Sequence, residues 1–88
     1  MICRLVTIQN QRGLHARASA KFVKVAGAFD AEVLVRKNDT EVSGCSIMGL
    51  MMLAASPGSQ IELRATGPAA EEVVNALTAL IVSKFDED

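Results

Sequence analysis

The chain has 88 residues, half of them apolar, with nine Lys and Arg against ten Asp and Glu for a formal charge of −1, and a single histidine. That length supports one hydrophobic core and excludes two, so residues 1–88 read as one domain. Near-neutral charge with three Phe and no Trp or Tyr gives nucleic-acid binding little support.

Cys3 and Cys45 lie far apart and form neither a CxxC pair nor a Cys/His cluster, so they read as reduced thiols and no metal site is expected. The start, Met1-Ile2-Cys3-Arg4, lacks the basic leader and long apolar run of a signal peptide. The longest apolar stretch, Ile47 to Ala55, is broken by Gly49 and falls short of the roughly 20 residues that cross a bilayer. A cytosolic protein is expected, with Asp86-Glu87-Asp88 as a solvated acidic end.

Ile2 to Ile8 is rich in β-branched residues and stops at polar Gln9-Asn10-Gln11-Arg12-Gly13, which predicts a first strand whose facing is ambiguous. Ala18, Phe22, Val25, Ala26 and Phe29 then recur at spacings of three and four, predicting a helix from about Ala16 to Ala26 with a stop at Gly27. Ala31 to Lys37 and Thr40 to Val42 flank Asn38-Asp39, a pair that tolerates the positive φ of a tight hairpin. Ser46 to about Leu53 has the length of a short helix, which Ser43 or Ser46 would cap. Pro57-Gly58 is a turn, and Gln60 to Thr66 alternates polar and apolar as a strand with one wet face does. Pro68 just inside a helix start, Glu71 and Glu72 in its early turns, and Val73, Val74, Leu77, Leu80 and Ile81 along one stripe define a last helix, with Lys84 near its negative end. The order βαββαβα, with half-polar strands, predicts an α+β fold of two layers: an antiparallel sheet with helices covering one face.

His15 stands between Gly13 and the first helix. A lone histidine is most often an ordinary surface or hydrogen-bonded residue. Here, however, a helix start just after it is expected to bring the N–H groups of Ala16 and Arg17 beside its ring, and the positive helix end favours an anion. Gly13 lets the backbone bend, Arg17 brings a permanent charge suited to phosphoryl oxygens, and the small Ala16, Ala18 and Ala20 leave room for a protein to approach. The constellation suits a phosphorylated histidine. Serine at position 46 reads as a helix cap, and the apolar run after it reads either as core or as a methionine-rich surface for partners.

Three stretches, GLHARASAKFV around His15, SGCSIMGLMMLA at the second helix and PGSQIELRATGP at the last strand, resemble the HPr family of phosphocarriers of the bacterial phosphotransferase system, over essentially the whole length. The resemblance implies a four-stranded antiparallel open-faced sandwich with three helices on one face. It implies that His15 accepts a phosphoryl group from enzyme I, charged by phosphoenolpyruvate, and passes it to an EIIA-type protein, with Arg17 and the Ala16 N–H stabilising that group. It implies that Ser46 is a target of an HPr kinase/phosphorylase. Ala20, Lys24, Ile47, Met48 and Met51 are expected to form a docking patch, with Met52 and Leu53 in the core. The HARAS wording is similar to the nitrogen-related branch. Two departures stand out: Ala18 where many sugar-type relatives have proline, and Arg12 where a small polar residue is common, the latter adding positive charge near His15.

No cofactor, metal, membrane or nucleic acid is implied, and a monomer is the default for a carrier that shows one patch to successive partners. The alternative is a regulatory protein-interaction or metabolite-sensing module without phosphoryl transfer, which needs a pocket of convergent polar groups that no motif beyond His15 and Arg17 supplies. A scaffold leaves the histidine idle. An independent kinase is the weakest reading, because there is no GxxxxGK[ST] loop and no pair of metal-binding carboxylates.

Overall fold

A computed structural model describes residues 1–86 of the chain. The elements run β1 (Ile2–Thr7), α1 (Ala16–Ala26), β2 (Glu32–Lys37), β3 (Thr40–Ser43), α2 (Ile47–Met52), β4 (Gln60–Thr66) and α3 (Ala70–Val82), followed by a short turn at Lys84–Asp86. The strands form one antiparallel sheet in the order β1-β4-β2-β3, and the three helices cover one of its faces. This is the α+β sandwich expected.

The sheet resolves the facing of β1. Val6 and Ile8 point into the core with Val33, Val35, Ile61, Leu63 and Ala65, while Cys3 and Leu5 face water. Ile8 lies one residue past the strand yet stays tied to the β4 side, donating to Ser59 and accepting from Gly58. In the β2–β3 hairpin Lys37 pairs with Thr40, and Asn38 takes the left-handed conformation at φ 55. Of the two turn residues only Asn38 is needed there.

The helices bury the predicted stripes. Phe22 and Ala18 of α1, Leu50 of α2, and Val73, Val74, Leu77 and Ile81 of α3 meet over the sheet; Val25, Phe29 and Leu80 are only partly covered. Burying a large aliphatic or aromatic side chain contributes about 1.5–3 kcal/mol, so this seam is a main source of the fold's stability.

Several expectations need correction. Pro68 lies in the turn before α3, whose N-cap is Ala69 and has no side-chain cap; the Ala69 N–H instead donates to the Asp30 carbonyl at 3.0 Å. Lys84 does lie near the negative end of α3, directly after the Ser83 C-cap. The chain leaves the helix there in a left-handed turn of Lys84, Phe85 and Asp86 (φ 60, 56 and 59), which drops Phe85 into the core. Lys21 of α1 holds that turn, its Nζ donating to the Phe85 carbonyl at 2.6 Å. Phe85 escaped the periodicity because a turn, not a helical repeat, places it. Of the acidic end, Asp86 is exposed, and residues 87 and 88 lie outside the described residues. Met52, expected in the core, is 75% exposed, while its neighbour Leu53 is buried. Six residues make fewer than two turns of helix, so only Leu50 faces fully inward and the methionines project.

Candidate functional site

His15 is the N-cap of α1, and the preceding loop explains why it sits there. Gly13 has φ 61, and a Cβ on it would lie 2.1 Å from the Ala55 carbonyl oxygen, so the loop passes where only glycine fits. Leu14, itself buried, donates its N–H to that same carbonyl at 3.0 Å. Asn10, fully buried, donates from Nδ2 to the Gly13 carbonyl at 2.8 Å, and Ser19 Oγ donates to the Leu14 carbonyl at 3.2 Å. These polar contacts fix the backbone on both sides of the imidazole. Asn10 and Ser19 were not singled out in the sequence, since both act on backbone carbonyls that only the folded chain brings to them; the turn-forming Asn10 four positions before Leu14 was the available signal.

The ring is half-buried and turned towards its own helix: the Arg17 N–H donates to His15 Nδ1 at 3.3 Å. The Ser19 N–H closes the first turn on the His15 carbonyl at 2.8 Å, which leaves the N–H groups of Ala16 and Arg17 at the open helix end beside that nitrogen. No acidic residue occupies the first turn of α1, so nothing on the helix offsets its positive end. The Arg17 side chain is exposed, and Ala20 and Lys24, three and seven positions on, share its solvent face. His15, Ala16 and Arg17 thus stand in succession at the start of α1, with the Arg17 backbone N–H on the imidazole.

The second helix packs against the first. Ser46 is its N-cap: Ser46 Oγ accepts from the Gly49 N–H at 3.0 Å, while Ser43 Oγ accepts from the Cys45 N–H instead. Ile47, Met48 and Met51 are 41%, 75% and 43% exposed, and Met52 extends this apolar surface beyond the expected set. Beside His15, between the loop that precedes α1 and the end of α2, an open depression of about 280 Å³ is lined by Arg12, Leu14, His15, Met51, Ala54, Ala55 and Ser56.

The other sheet face carries a separate charge cluster. Arg64 pairs with Glu41 at 3.0 Å, and hydrogen bonding to Cys3, then to Glu41, holds its pKa above the ordinary guanidinium value. Among the described residues no group of three or more His, Cys, Asp or Glu is placed to hold a metal, and no helix is long and apolar enough to cross a membrane.

A helix-capping histidine on a four-stranded antiparallel sandwich is the arrangement that the sequence resemblance implies, and comparison with known proteins gives the family. The family model described as the PTS HPr component phosphorylation site matches residues 2–83. The phosphocarrier protein HPr of Neisseria meningitidis serogroup A is 52% identical over 87 residues, which cover 99% of this chain and 98% of that protein. The phosphocarrier protein NPr of Escherichia coli K12 is 46% identical over 84 residues, covering 94% and 93%. The crystal structure of HPr-C-His from Thermoanaerobacter tengcongensis superposes with a TM-score of 0.95 at 42% identity, covering 100% of this chain and 99% of that one.

The chain belongs to the HPr family of phosphotransferase-system phosphocarriers, a family that includes the nitrogen-related NPr proteins. Its role is that of a phosphocarrier working with phosphotransferase-system partners, and its relatives are carriers, not kinases.

Proposed function

We propose that His15 Nδ1 is the atom that carries the phosphoryl group, taking it from phosphorylated enzyme I and giving it to an EIIA-type acceptor, with the chain acting as a monomer. The observation that supports this most is the 3.3 Å contact from the Arg17 N–H to Nδ1. It directs that nitrogen's lone pair at the positive end of α1, and a neutral ring that accepts there carries its proton on Nε2. In the transfer, the Nδ1 lone pair attacks phosphorus, the donor nitrogen of enzyme I departs with the electrons of its own N–P bond, and the Nε2 proton stays in place. The Arg17 N–H passes from Nδ1 to a phosphoryl oxygen, joined by the Ala16 N–H and the Arg17 guanidinium. Transfer onward reverses these steps.

Exposure at a helix end makes the stabilisation modest, about 0.3–1 kcal/mol for the helix field. A carrier needs a group held without being trapped. Labelled phosphoenolpyruvate with enzyme I should give an acid-labile label on the wild type and none on His15→Ala. No label on a folded wild type with an active cognate enzyme I would overturn the reading.

Ser46 is the regulatory site in this reading. A phosphoryl group there adds roughly −1.5 to −2 charges beside Ile47 and Met48, and its oxygens replace Oγ as acceptors of the Gly49 N–H, so α2 keeps its cap. Like charge on the docking surface then opposes a phosphorylated partner. Ser46→Asp should slow transfer from enzyme I at unchanged thermal stability, whereas an unchanged rate would remove the regulatory role. Ala20, Lys24, Ile47, Met48 and Met51 make up the surface on which the partners dock in turn.

A further inference from the structure

The phosphocarrier reading uses His15, Arg17 and the α2 surface and leaves Arg12 without a task. Arg12 is exposed on the loop between β1 and α1, on a backbone closed by two hydrogen bonds, Gly13 N–H to the Asn10 carbonyl at 3.2 Å and Asn10 Nδ2 to the Gly13 carbonyl at 2.8 Å. The root of the side chain is therefore fixed while the guanidinium stands in water. Its location separates it from Arg17: Arg12, with His15 and Met51, lines the depression that runs from the imidazole towards the end of α2, whereas Arg17 lies on the first turn of α1. With the phosphoryl group of the reading above on Nδ1 at the α1 end, the depression is left to the approaching protein.

The chemistry of the walls says what fits. Leu14, Met51, Ala54 and Ala55 are apolar, and Arg12 supplies the permanent charge at the rim. From Gln9 to Phe29 the chain carries Arg12, Arg17, Lys21 and Lys24 and no acidic residue; Lys21 is turned to the Phe85 carbonyl, so Arg12, Arg17 and Lys24 are the exposed charges of this segment, all of one sign. An aliphatic stem ending in a carboxylate matches both features.

We infer that the depression receives an acidic side chain of enzyme I, next to the phosphoryl-bearing residue of that partner, and that Arg12 is the residue that reads it. The inference rests on the phosphocarrier reading above. Arg12 is thereby a specificity residue: it favours partners that place a carboxylate at this point and disfavours those that place a cation there.

The test compares wild type with Arg12→Gln, Arg12→Lys and Arg12→Glu, using enzyme I charged with phosphoenolpyruvate. The second-order rate of transfer is measured across a KCl series, and each isolated phosphorylated protein is followed for spontaneous loss of label. Arg12→Gln should transfer about three- to tenfold more slowly at low salt with a flatter salt dependence, as expected for loss of a rim charge that steers association. Arg12→Glu should be slower still, Arg12→Lys should keep the wild-type salt slope, and loss of label should be the same in all four. Equal rates and slopes for wild type and Arg12→Gln would overturn the inference. So would faster loss of label from Arg12→Gln with an unchanged slope, since Arg12 would then serve the phosphoryl group and not the partner. A wild type that takes no label would remove the phosphocarrier reading and the inference together, an outcome distinct from a labelled wild type matched by its variant.

Discussion

At residue 13 two independent constraints meet. The left-handed backbone at φ 61 disfavours any side chain, and the Ala55 carbonyl 2.1 Å from the position of a Cβ leaves no room for one. Gly13→Ala should therefore lower stability by at least about 2 kcal/mol, read as a shift in denaturant midpoint; a loss below half that would mean the loop yields easily. Because the same carbonyl anchors Leu14, movement of the loop also moves His15. Of this arrangement, Gly13, His15 and Arg17 were legible in the sequence, since each carries its chemistry in its own type. Asn10 and Ser19 were not, because a buried side chain bonded to a carbonyl looks in sequence like any polar loop or helix residue.

At the level of elements, α2 is the least self-sufficient. Its six residues are too few to hold a helix by hydrogen bonds alone, and it depends on the Ser46 cap, on buried Leu50 and on Lys37 of β2. Lys37 Nζ donates to the carbonyls of Leu53 and Ala54 at 3.3 and 3.2 Å, satisfying acceptors at the helix end that have no partner within the helix. Ala54 follows the C-cap in the left-handed conformation, φ 52, which costs a residue with a Cβ about 1–2 kcal/mol. Ala54→Gly should raise stability by about 0.5–1 kcal/mol after the larger entropy of the unfolded glycine is subtracted, as measured by chemical denaturation. A loss of stability would place the role of Ala54 in packing. The short span also explains why Met52 could not be assigned from the pattern: fewer than two turns do not define a stripe, whereas the stripes of α1 and α3 were plain in their spacing.

Across the whole molecule, the sandwich divides the surface by task. One sheet face stays open to water with the Arg64–Glu41 pair, while helices seal the other, where the loop before α1 and the chain after α2 meet beside His15. The order of elements was readable because turns and periodicities are local. That β4 inserts between β1 and β2 was not, since strand order depends on packing across the chain. This topology also carries the Gly13 loop to the Ala55 carbonyl, the contact that seats the histidine at the start of α1. The carrier account thus turns on one atom, His15 Nδ1 at the positive end of that helix. The most direct measurement is NMR of the protein labelled with nitrogen-15 and phosphorylated through enzyme I, in which phosphorus–nitrogen coupling identifies the modified ring nitrogen. The account predicts coupling to Nδ1, with the Ala16 and Arg17 amide protons shifted downfield as they bond to phosphoryl oxygens. Coupling to Nε2, or unmoved amides at the helix start, would contradict it.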